Sequence, residues 1–130
     1  MAIKQKALHA FSSAALASIA CLVYATVYNN AFEVNYSAVL NTGSITGVCV
    51  FSCSLMALAY YFAIKWKAEK LLGWINTTIA LLSFVSIITV LGFQLPVSVQ
   101  SPEMFPGLAI PMHFFPAMAF FALAPFFRNK

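Results

Sequence analysis

The sequence predicts an all-α integral membrane protein: a four-helix bundle with both termini on the cytoplasmic side. Three observations lead there. Of 130 residues, 62% are hydrophobic and 8% are charged, whereas about a quarter of a soluble domain is charged. Seven basic and three acidic side chains cannot clothe a folded chain of this size in water. The apolar residues fall in four long runs without the alternation of barrel strands, and lipid admits only helices or closed barrels. Finally, the basic residues stand at Lys4, Lys6, Lys65, Lys67, Lys70, Arg128 and Lys130, always beside an apolar run.

Each run is near the roughly 20 residues that a helix needs to cross a hydrocarbon core. The first covers residues 8–28. The second covers 43–64, with Asn41 or Thr42 available as its cap. The third covers 71–93 and stops before Pro96. The fourth covers 105–127, with Pro106 suited to a first helical turn. The basic residues precede the first span, lie between the second and third, or follow the fourth, while Glu33 and Glu103 occupy the other two connections. By the positive-inside rule, both termini are cytoplasmic and the chain crosses four times. Trp66, Trp74, Tyr60 and Tyr61 mark the basic boundary, and Tyr24, Tyr28 and Tyr36 the opposite one. The opening MAIKQKALHAFSSAALASIAC has the basic and apolar regions of a leader, but Ser18 makes its SIAC a poor lipobox, and the first span is read as retained. No repeat or linker divides the chain, so residues 1–130 form one transmembrane domain.

This charge distribution excludes a phosphate-binding stripe, and no nucleic-acid partner is expected. No acidic residue lies inside a span, so paired acid–base catalysis lacks its parts. Cys21, Cys49 and Cys53 include no CxxC and bring no histidine or carboxylate with them; they read as small apolar residues. No enzyme, metal or cofactor is expected.

Two groups of residues point to function. In the second span, Gly43-xxx-Gly47 shares a face with Ser54 and Ala57 at about 100° per residue, and small residues let helix backbones approach closely. A stripe of Ser13, Ala17, Cys21 and Ala25 on the first span offers a matching surface. The second group is polar: Asn76, Ser83 and Ser86 lie on one arc of the third span, and His113 stands inside PMHFFPA in the fourth. Pro116 removes the amide that would bond the carbonyl of Met112, so the helix bends or loosens beside His113 and the freed carbonyl needs a donor. An intramembrane histidine suggests function by default; the alternative is a structural hydrogen bond, with Asn76 as one candidate partner.

The order of features, FEV after the first span, K…WI…SF in the third, LP after it and PMHFFPA in the fourth, resembles an uncharacterised bacterial family of four-span membrane proteins, a domain of unknown function. The resemblance implies a bacterial inner membrane and four helices, and it implies no activity. The expectation is a small non-enzymatic inner-membrane protein acting by self-association or as a subunit of a membrane complex, with the lipid bilayer and other subunits as partners. The competing expectation is a small oligomeric channel or transporter with a path near Asn76, Ser83 and His113.

Overall fold

The computed structural model describes residues 3–96, 98 and 101–128, with the backbone alone at Arg128. Lys130, the last of the basic residues, lies outside them. Among the described residues five helices follow one another: α1 (Ile3–Phe32), α2 (Thr42–Lys65), α3 (Leu72–Gly92), α4 (Phe105–Met112) and α5 (Phe115–Arg128), with short 3-10 turns at Glu69–Leu71 and Pro102–Met104. Four segments of the described residues are long and apolar enough to cross a membrane: α1, α2, Glu69–Gly92 and Pro102–Phe127, the last combining α4 and α5. The chain is an all-helical integral membrane protein.

α2 begins where Asn41 stops the preceding loop. Its side-chain oxygen accepts the Ser44 amide at 2.8 Å, satisfying one of the free donors of a helix start. α1 and α2 both end without glycine. Glu33 and Lys67 take left-handed φ values of 54°, and the residue after each donates back five positions, Val34 to the Asn29 carbonyl at 3.0 Å and Ala68 to Ala63 at 2.8 Å. This is the Schellman geometry, normally assigned to glycine; a residue with a Cβ carries about 1–2 kcal/mol of strain there.

α1 is 30 residues long, about 45 Å at 1.5 Å per residue, and overshoots a hydrocarbon core of about 30 Å. Its first turns therefore carry Lys4 and Lys6 to the boundary. The Lys6 ammonium lies 4.7 Å from the centre of the Tyr61 ring, and Lys65 approaches the same ring at 5.8 Å. The two lysine groups thus share one end of the bundle. At the other end Tyr36, 1% exposed, donates to the Ser101 carbonyl, joining the connections that hold Glu33 and Glu103. Burial pushes the Tyr36 phenol up from its ordinary value, with Tyr28 and Glu103 adding to the effect, so the hydroxyl remains a donor well above neutral pH.

The core forms where α1 packs on α2 and α5. The α1 stripe of Ser13, Ala17, Cys21 and Ala25 is buried throughout. α2 answers with Ile45, Cys49, Cys53, Met56 and Tyr60. Small side chains on α1 let the backbones approach, which is how helices gain dispersion energy when lipid supplies no hydrophobic drive. α3 stands apart, with Val90 its one buried side chain. Its Leu81, Leu82, Phe84, Val85, Ile88 and Leu91 are exposed and suited to acyl chains.

Candidate functional site

The fourth span is broken by its own sequence, and α1 mends it. Pro111 and Pro116 carry no amide hydrogen, so the carbonyls of Gly107 and Met112 lose their usual helical donors. α1 faces both. The Tyr24 hydroxyl donates to the Gly107 carbonyl at 2.8 Å, and the Cys21 thiol points at the Met112 carbonyl at 4.0 Å. The Tyr28 hydroxyl reaches the Met104 carbonyl at 2.7 Å. A Cβ on Gly107 would stand 2.6 Å from that hydroxyl, so a larger residue there would have to push the Tyr28 side chain from its place. Near the lysine end, His9 meets the Phe120 carbonyl through Nε2 at 2.9 Å and stacks on the Phe120 and Phe127 rings, with centroids 4.1 and 5.0 Å away.

At the break itself, the amides of His113 and Phe114 close 3-10 turns onto Ile110 and Pro111, and α5 restarts at Phe115. The resulting elbow places His113 on the wall of a cavity of about 410 Å³ between α2, α3 and the α4–α5 junction. Ser83 and Ser86 line it too. Their hydroxyls donate to α3's own carbonyls, Ser83 to Ile79 at 3.0 Å and Ser86 to Ser83 at 2.7 Å. The His113 ring is half-buried, and among the described residues no group hydrogen-bonds it.

The polar arc is therefore divided. Ser83, Ser86 and His113 share the cavity, whereas Asn76 is turned towards α2, where its Oδ1 accepts the Tyr60 hydroxyl. Asn76 is hydrogen-bonded to Tyr60 and not to His113, and Tyr60 is a buried donor, 4% exposed, rather than part of an aromatic belt. Trp66 and Trp74, both 72% exposed, fit that belt.

Most of the glycine face of α2 points away from the bundle. Gly43, Gly47 and Ser54 are exposed, whereas Ala57 is half-buried and packs against the core around Cys53, Met56 and Tyr60. A Cβ on Gly47 would meet nothing within 4 Å, and one on Gly43 only the Asn41 side chain at 3.3 Å. Packing within the bundle uses the opposite, cysteine-bearing face. All three cysteines are free and buried. The sulfurs of Cys21 and Cys49 lie 3.9 Å apart across α1 and α2, and Cys53 points at the Pro116 carbonyl at 3.9 Å. Among the described residues no group of three or more metal-ligating side chains comes together.

His9 is the residue that sequence reasoning missed. It reads as a boundary residue because it sits near the start of the first span, and its partner, a backbone carbonyl 111 residues away, leaves no mark in sequence. Comparison with known proteins adds nothing to this geometry: no protein family, curated protein or solved structure matches the chain.

Proposed function

We propose that this chain is a small non-enzymatic membrane protein that acts by association, joining its own copies or other membrane subunits through the Gly43–Gly47 face of α2. The observation that carries this reading is the direction of that face. In lipid, a helix face of glycine, serine and alanine gains little from acyl chains and much from another backbone, and here its Gly43, Gly47 and Ser54 are left open by a bundle that packs α2 through Ile45, Cys49, Cys53, Met56 and Tyr60. Gly47→Leu tests the reading in native membranes. The folded bundle is expected to keep its thermal stability, because Gly47 is exposed and a Cβ there meets nothing within 4 Å. The cross-linked or co-purified assembly is expected to fall at least several-fold, because leucine separates the two backbones. An unchanged assembly, or a wild-type chain that runs as a monomer after cross-linking in the membrane, overturns it.

The membrane is a bacterial inner membrane, with the lysine end cytoplasmic and the glutamate end outside, in accord with the positive-inside rule. Single cysteines at positions 67 and 103, in a background without the native thiols, are expected to react with a membrane-impermeant maleimide from opposite sides. Labelling of both from the same side removes the four-crossing arrangement.

The transport reading draws on Ser83, Ser86 and His113 facing one cavity. Asn76, which would have extended that row towards the lysine end, is occupied by Tyr60. What supports this second reading is a pocket rather than a continuous path.

A further inference from the structure

We propose that the cavity between α2, α3 and the α4–α5 elbow is a binding site for a neutral, lipid-soluble molecule with a hydroxyl head group, anchored by the imidazole of His113. The cavity measures about 410 Å³, within the range of about 300–1,000 Å³ usual for small-molecule sites. It lies at mid-depth, against α2 between Phe51 and Ala59 and against α3 between Ile75 and Ser86. Its rim includes the exposed Phe51 and Leu55 of α2 and Thr78 and Leu82 of α3. Entry is therefore sideways, from the bilayer. A water-soluble ligand would have to cross lipid to reach it.

The lining chooses the ligand. Among the described residues no lysine, arginine, aspartate or glutamate borders the cavity, so a charged head group would be desolvated with no fixed counter-charge. Most of the wall is aliphatic or aromatic, which fits a hydrocarbon body. Thr78, Ser83 and Ser86 have spent their protons on α3's carbonyls and offer lone pairs alone. Ser52 and His113 keep hydrogen-bonding capacity, and the imidazole is the rigid one: when neutral, its ring fixes one donor and one acceptor in space. A hydroxyl is the smallest head group that can both accept from the ring N–H and donate to a serine oxygen of the wall. The two ring nitrogens point apart, so the serine and not the second nitrogen takes its proton. A long-chain alcohol and a phenolic lipid share this chemistry. The elbow exists because Pro116 cannot continue the ladder of α4, so the break in the helix and the position of the anchor have one cause.

The test uses the full-length chain in phosphatidylcholine nanodiscs, with a diazirine-bearing decanol as the probe and mass spectrometry to locate the adducts. Adducts are expected within residues 51–59 and 75–86. Unlabelled decanol should compete for this labelling about three- to tenfold better than decane, the span expected for one hydrogen bond inside a membrane. His113→Leu should erase most of the preference for decanol while leaving decane competition unchanged, and His113→Gln, which keeps a donor and an acceptor, should retain much of it. Ala59→Trp, which fills the cavity from α2 and leaves residue 113 a histidine, should abolish labelling there. Equal competition by decanol and decane in the wild type overturns the proposal whether or not the His113 variants fold. So do adducts confined to other surfaces, or stronger competition by decanoate than by decanol.

Discussion

Phe120→Ala is expected to destabilise the bundle by about 2–3 kcal/mol, far more than the truncation of a phenylalanine that faces lipid. Phe120 is fully buried. Its ring stacks on His9 at 4.1 Å and meets Tyr60 edge-on at 5.1 Å, so it joins α5 to both α1 and α2. In water, part of such a cost is the transfer of apolar surface. In a membrane, the separated helices remain in lipid, and that part largely disappears. What remains is the void: removing roughly 100 Å³ of ring at about 24 cal/mol per Å³ gives about 2.4 kcal/mol where the neighbours cannot collapse. They are poorly placed to do so, since His9 is fixed to the Phe120 backbone carbonyl and Tyr60 to Asn76. Phe11→Ala is the control. Phe11 is 74% exposed and its loss should stay within about 0.5 kcal/mol. Reversible unfolding by a denaturing detergent measures both, and equal costs for the two phenylalanines would show that α5 does not pack as described.

How far the sequence discloses this structure depends on the residue. The four spans follow from run length, and each apolar run corresponds to a membrane-length segment of the structure. The break beside His113 follows from Pro116, because a missing amide acts locally. Helix ends are less legible. α1 runs on to Phe32 because Glu33 adopts a conformation that sequence rules assign to glycine. The inward face of α2 is obscured for a related reason. Glycines and cysteines are both small, and periodicity groups the residues of a face without saying which face meets α1. Tyr60 and Asn76 carry a usable signal: they lie at similar distances on either side of the short Lys65–Leu72 connection, so an antiparallel pairing of α2 with α3 brings them together. His9 carries none. Its partner is a main-chain oxygen, and a main-chain oxygen has no residue type.

The division of labour between α1 and the proline-broken fourth span leads to the second large effect expected, and it is one of coupling. Tyr24→Phe removes the donor to the Gly107 carbonyl and little else, because the ring keeps its edge-on contact with Phe115 at 5.7 Å. The carbonyl then lacks both the tyrosine and the amide that Pro111 never had. The expected cost is about 1–1.5 kcal/mol, towards the upper end for hydrogen bonds within membranes and in keeping with an orphaned backbone acceptor. Pro111→Ala supplies the missing amide. In that background Tyr24→Phe should cost no more than about 0.5 kcal/mol, leaving a coupling of roughly 1 kcal/mol between two residues whose side chains need not touch. Tyr28→Phe provides the contrast. It removes the donor to the Met104 carbonyl, but the helical partner of that carbonyl is Leu108, which has its amide, so Pro111→Ala should leave the cost of Tyr28→Phe unchanged. A cycle of the four Tyr24 and Pro111 variants, unfolded in detergent micelles, decides the matter. Additive costs for Tyr24→Phe and Pro111→Ala would mean that the hydroxyl does not stand in for the amide, and that the fourth span tolerates its prolines without help from α1.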